Sequence, residues 1–242
     1  PVVTPQSPES ENRFTFSVDV ESLSTGVVRP LDVGPITLGF DGLSTGDAFG
    51  ERFFVHPSTV EQLVEQRAVP AEPWRYTDDT VMALSIFDVL SEKGDVDQDT
   101  LAALFAARYQ LDPRRGYGGT AHDILTQIMQ GVPWREASGA AFDGSGSMGN
   151  GAAMRVAPLG AYFHDDFDAV VAHARRSAEV THAHAEGQAG AIAVAIATAC
   201  LARSIRNARE IFDTVLSFTP DSETRAGIQQ ASVLPLDYDV RT

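Results

Sequence analysis

Cysteine is nearly absent: Cys200 stands alone in the chain. One thiol excludes an internal disulfide framework and any cysteine-rich zinc site, which fits a reducing compartment and makes the cytoplasm the expected location. Positive charge is also scarce. Eighteen Lys and Arg against thirty-three Asp and Glu leave a formal charge of -15, a balance that repels nucleic acid and anionic membranes at long range, so neither is an expected partner. Long apolar runs are missing: the most apolar stretch, Gly190 to Ala202, is alanine-rich and too short to cross a bilayer. The N-terminus lacks the basic-then-apolar pattern of a signal peptide. There is no internal repeat and no convincing run of paired strands.

What remains is a chain of 242 residues, 43% of them hydrophobic, long enough for one substantial core and read as one globular unit. An anionic ligand on so acidic a protein needs a local device: a bound cation, the amides of a glycine-rich loop, or a helix N-terminus. Residues 1–35 mix proline, serine and acidic side chains around an alternating run, Phe14, Phe16, Val18 and Val20. They read as a mobile arm or an edge strand. From Ile36 onward helix signals dominate. Asp78 to Leu90 puts Met82, Ile86, Val89 and Leu90 on one face, with Thr77 in the N-cap place. Further amphipathic segments run from Asp99 to Tyr109, Ala121 to Met129, Phe167 to Val180, Glu186 to Arg203 and Ala208 to Phe218. The predicted class is all-α, with glycine-rich loops as ligand elements.

Four segments carry chemistry. In Y-T-D-D-T, Tyr76 to Thr80, the plain reading is a capped helix whose Asp78 and Asp79 favour the positive end of the macrodipole, at about 0.3 to 1 kcal/mol each. The sharper reading converges their oxygens on a hard cation such as magnesium. In G-L-S-T-G-D-A-F-G-E, Asp47 and Glu51 are four apart, and Gly42, Gly46 and Gly50 recur at a spacing that suits close helix packing; Asp47 also suits a buried hydrogen-bonding role. G-S-G-S-M-G-N-G-A-A-M-R, Gly144 to Arg155, combines dense glycine, a helix from Ala152 to Leu159 and an arginine one turn into it, which suits a pyrophosphate. It follows no strand and lacks the lysine of a phosphate loop, so a nucleoside triphosphatase or dinucleotide-binding reading fails. In T-H-A-H-A-E-G-Q-A-G-A, His182 and His184 lack the spacing of a helical zinc pair and read as caps or partly buried donors, and Cys200 reads as core.

Taken in order, G-D-A-F-G, Y-T-D-D-T-V-M-A, G-N-G-A-A-M-R-V-A-P-L-G and T-H-A-H-A-E-G-Q-A-G-A resemble the ADP-ribosylglycohydrolase family, which includes the dinitrogenase-reductase-activating glycohydrolases and is related to lens crystallin J1. The resemblance runs from Ile36 to about Leu234. It implies an orthogonal helix bundle over residues 36–242, around a cleft with two magnesium ions, manganese being an alternative. It assigns Thr77, Asp78 and Asp79 to metal, and Asp78, Asp79 and Glu51 to the reaction centre. ADP-ribose falls to Gly146, Ser147, Met148, Gly149 and Asn150 of the glycine loop, with Arg155 and His182 at the substrate, and Asp47 and His182 shape the cleft through hydrogen bonds. The family also carries a D-x-D-T motif near its C-terminus. Here the closing L-D-Y-D-V-R-T holds Asp237 and Asp239 in neither that context nor ahead of a helix, so a domain lacking its C-terminal portion is expected. The implied activity is magnesium-dependent cleavage of the glycosidic bond in ADP-ribosylated proteins or small molecules. The rivals are a non-catalytic ADP-ribose-binding module and a crystallin-like structural protein.

Overall fold

A computed structural model describes residues 33–235, and among them there are eleven α-helices and no strand. The Phe14 to Val20 run and Asp237 and Asp239 lie outside the described residues. Helix α1 spans Val33–Gly50, so the boundary expected at residue 35 falls inside its first turn. There follow α2 (Pro57–Gln66), α3 (Asp78–Lys93), α4 (Gln98–Leu111), α5 (Gly119–Met129) and α6 (Trp134–Ala140). The second half holds α7 (Ala157–Tyr162), α8 (Phe167–Glu179), α9 (Ala185–Ala202), α10 (Ala208–Phe218) and α11 (Glu223–Ser232).

The core forms where the apolar periodicity places it. Met82, Ile86, Val89 and Leu90 of α3 are buried, and meet Leu101, Phe105 and Tyr109 of α4. Full burial of one such aliphatic side chain contributes roughly 1.5 to 3 kcal/mol. Local capping sets the ends: Asp97, Asp166, Asn207 and Ser222 accept backbone N–H groups at the starts of α4, α8, α10 and α11. Gly94, left-handed at φ 65°, closes α3. The central pillar is α9, packed against α7, α8 and α10. Its 18 residues, with a mean hydropathy of 1.4, extend the apolar stretch judged too short from residues 190–202 alone, and by length and composition could cross a bilayer. Its Ile192, Ile196, Ala199 and Cys200 instead sit fully buried in the bundle, the place of a core helix. Close packing on α7 depends on Gly160, where a β-carbon would strike the carbonyl of Ala195.

Two local expectations change. A β-carbon at Gly42, Gly46 or Gly50 would meet nothing within 4 Å, and Gly46 and Gly50 border a cavity, whereas one at Gly39 would touch the β-carbon of Ala161 at 3.9 Å. The helix expected from Ala152 to Leu159 is broken, because a 3-10 turn at Asn150–Ala152 comes first and α7 starts only at Ala157, with Pro158 in its first turn.

Candidate functional site

The starts of α3 and α5, the end of α1 and the glycine loop before α7 meet at one cavity of about 830 Å³, within the range of small-molecule sites. Thr77 occupies the N-cap position of α3, but its side chain caps nothing. The capping acceptor comes from α1: Asp47 Oδ2 takes the N–H of Thr77 at 2.8 Å and of Thr80 at 3.2 Å. The hydroxyls of Thr77 and Thr80 donate to Oδ1 and Oδ2 of Asp47, each at 2.6 Å. The N–H of Asp78 goes to the carbonyl of Arg115 at 2.7 Å. Arg115 is itself held by Asp112 at 2.8 Å and by the carbonyl of Tyr76 at 3.1 Å. The helix start is thereby pinned from two sides, and its first-turn carboxylates are aimed rather than free.

Both carboxylates face the cavity. Asp78 is only 6% exposed, and burial, then the charge of Asp79, lifts its pKa from 3.8 to about 6. Asp79 rises likewise to about 6, through burial first and the charge of Asp47 next, with a smaller push from Glu51. Glu51 lies exposed in the 3-10 turn that ends α1 (Glu51–Phe53), on the rim of the same cavity. Adjacent acids held at a raised pKa form a site short of positive charge. The donor set is two carboxylates and a threonine hydroxyl; among the described residues no group of three or more His, Cys, Asp or Glu is gathered to hold a metal. Such a set suits magnesium, which binds through one or two carboxylates and keeps several waters, and does not suit a zinc site or a calcium cage.

The opposite wall is the glycine loop. Phe142 and Asp143 adopt left-handed backbone at φ 51° and 55°, followed by Gly144 at 89° and Gly146 at 79°. Such strain in non-glycine residues clusters at ligand sites. Gly146 has no alternative: a β-carbon there would lie 2.6 Å from the backbone nitrogen of His184. The loop exposes Met148 at the cavity, with Ser147, Gly149 and Asn150 beside it. His182 is buried under it, with a β-carbon on Gly151 only 2.8 Å from its ring. Burial, and secondarily the charge of Arg155, drops the His182 pKa to about 3, so the ring is neutral, and Nδ1 lies 2.8 Å from the hydroxyl of Thr181. His184 caps α9, accepting the N–H of Glu186 at 3.1 Å.

Arg155 lies at the same cavity, deeply buried. It is 0% exposed, donates to the carbonyl of Ser177 at 2.9 Å and lies 4.5 Å from the ring centroid of Phe105. It is a buried cation that also lines the cavity, held in place from behind. Burial lowers its pKa to about 9, which leaves it charged at neutral pH. Sequence reasoning also missed residues that border the cavity: Gly116, Gly118, Gly119 and Thr120 at the start of α5, and the exposed rings of Phe54 and Phe142 at its mouth. The glycine cluster in R-R-G-Y-G-G-T ahead of a helix was the available signal.

The ADP-ribosylglycohydrolase family profile matches residues 40–240. The chain belongs to the ADP-ribosylglycohydrolase family. ADP-ribosylhydrolase ARH3 of Mus musculus is 31% identical over 196 residues, 75% of this chain and 53% of the relative. ARH3 of Gallus gallus is 39% identical over 128 residues, 52% of this chain and 35% of the relative. The chain thus spans about a third to a half of the length of these curated relatives. A solved structure described as an ADP-ribosylglycohydrolase-related protein complex has the same fold, with a TM-score of 0.53, at 22% identity over 78% of this chain and 62% of that one.

Proposed function

We propose that this ADP-ribosylglycohydrolase family member hydrolyses the glycosidic bond of ADP-ribosylated proteins or small molecules, with magnesium held by Thr77, Asp78 and Asp79. The observation that carries the reading is the pairing, across one cavity, of two carboxylates raised to about 6 with a strained glycine loop. Magnesium, once bound, supplies Lewis acidity and a template for ribose hydroxyls and water. The protein does the rest. Glycine-rich backbone at Gly146 to Asn150 and at Gly116 to Gly119 offers close approach to a diphosphate without requiring a positive surface. The exposed Phe142 ring and Met148 both line the cavity and offer apolar surface suited to a purine. Neutral His182, fixed beneath the loop, serves as a hydrogen-bonding group rather than a charge. Glu51, on the rim beside Asp79, is the carboxylate outside the metal set that is placed to assist water attack through an oxocarbenium-like transition state.

Two measurements separate the rivals. Calorimetry with ADP-ribose shows binding for the enzyme and for a non-catalytic binding module, and none for a structural protein. Incubation with an ADP-ribosylated peptide then releases ADP-ribose only if the chain is an enzyme.

A further inference from the structure

The acceptor pattern of Asp47 contains more than a helix cap. Its Oδ2 atom takes the N–H groups of Thr77 and Thr80 and the Thr80 hydroxyl, which is the work of a cap supplied from another helix. Among the described residues its Oδ1 atom takes only the hydroxyl proton of Thr77, at 2.6 Å. That bond does nothing for the helix backbone. It does decide where a single proton lies. The Thr77 hydroxyl also approaches Asp79 Oδ1 at 3.5 Å, and one hydroxyl proton cannot serve two acceptors lying in different directions. The shorter bond holds it on Asp47. The Thr77 and Asp79 oxygens therefore face each other across 3.5 Å with no proton between them, both on the cavity wall. Two acceptors in that relation attract a cation and repel each other without one.

We propose that Asp47 is a positioning residue for cation capture: by drawing the Thr77 proton away from Asp79, it turns the Thr77 oxygen into an acceptor directed at the metal. This rests on the magnesium reading of the site, so wild-type metal binding is measured first. The G-D-A-F-G and Y-T-D-D-T segments then act as one unit, the first setting the proton orientation that the second needs. Asparagine at position 47 has the same shape, yet its amide nitrogen donates where Oδ1 or Oδ2 accepted, which releases the Thr77 proton toward Asp79 or unseats the cap.

The test is Mn²⁺ affinity of the whole chain at pH 7, read from the electron paramagnetic resonance signal of the free aqua ion, with no turnover involved. Loss of a group that orients a metal ligand typically weakens affinity about 10- to 100-fold, and Asp47→Asn is expected to fall in that range. Thr80→Val, which shortens the cap but leaves Oδ1 on Thr77, is expected to lower the melting temperature and to keep affinity within about threefold of wild type, the loss belonging to stability alone. In a Thr77→Val background, Asp47→Asn is expected to add no further loss. If Asp47→Asn fails to fold by circular dichroism, Asp47→Glu replaces it, since the longer carboxylate keeps the charge but moves the acceptor, and the same loss is expected. Wild-type affinity in either Asp47 variant overturns the proposal and leaves Asp47 as a cap. An equal loss with and without Thr77 overturns it in favour of a bulk charge effect. No Mn²⁺ binding by the wild-type chain sinks the magnesium reading itself, and this inference with it.

Discussion

Replacing Asp78 by asparagine should make the metal-free protein more stable at neutral pH, the reverse of what removing a well-bonded buried carboxylate does. Burial and the neighbouring charge of Asp79 hold the Asp78 pKa near 6 in the fold, against an ordinary 3.8. At about 1.4 kcal/mol per pH unit, that difference corresponds to on the order of 3 kcal/mol. The folded state keeps this proton to higher pH than the unfolded state does. Stability from this group is therefore full below about pH 4, falls as pH rises toward about 6, and is level above it. Asp79 follows the same course, but the two acids are coupled, so their joint effect is less than double. Asparagine imitates the protonated acid and relieves Asp79 as well. At roughly 2 °C per kcal/mol for a chain of this size, metal-free Asp78→Asn should melt about 6 °C above wild type at pH 7 and level with it at pH 4. Saturating Mg²⁺ should raise the wild-type melting temperature at pH 7 and move the variant little, since ligand binding stabilises only the state that binds. Scanning calorimetry in EDTA and in Mg²⁺ at both pH values reads all of this. A variant that melts below wild type at pH 7 in EDTA would show that the Asp78 charge is a stabilising one and that the site has no need of a cation.

Gly146→Ala should abolish ADP-ribose binding in calorimetry, because a side chain there meets both a left-handed backbone and the His184 nitrogen; binding within about threefold of wild type would mean the loop does not hold the ligand. Gly160→Ala should destabilise the chain by at least about 2 kcal/mol in urea unfolding, since the new methyl must push α7 off α9; an unchanged midpoint contradicts the packing. Arg155→Ala should cost about 3 kcal/mol or more of stability, by emptying a fully buried site and stranding the Ser177 carbonyl. A loss of ADP-ribose affinity without loss of stability would return Arg155 to the ligand.

The helices with a clean apolar stripe were legible in the sequence to within a few residues. Met82, Ile86, Val89 and Leu90 face the core as their spacing requires, and α10 runs from Ala208 to Phe218 as read. Helices whose reasons are tertiary were not legible. Pro35 and five glycines give α1 a poor intrinsic propensity, and it is helical because α3 and α7 support it. Helix α11 is polar, and part of its start is held by Glu186 of α9, which accepts from Glu223 and Thr224 at 2.8 and 2.9 Å, a bond across 37 residues that no local pattern shows. Helix α2 was legible and overlooked: His56 caps it, and Pro57 stands at its first position. At the site, residue types pointed to Thr77, Asp78, Asp79 and the glycine loop. Directions did not follow from type. The Thr77 side chain looks like a cap and caps nothing, and Arg155 reaches the cavity from a fully buried position that its sequence context does not show, because side-chain direction at a helix start or a broken turn depends on what packs behind it.

In the proposed function, Thr77, Asp78 and Asp79 hold the magnesium with which this chain cleaves an ADP-ribosyl bond. The most direct measurement is release of ADP-ribose from an ADP-ribosylated peptide, followed by mass spectrometry for wild type and Asp78→Asn, each with Mg²⁺ and with EDTA. Release by wild type with Mg²⁺ is expected, at a rate about 100-fold or more above that in EDTA or in the variant, the equivalent of the several kcal/mol a catalytic metal supplies. Equal release in EDTA, or by Asp78→Asn, would contradict it.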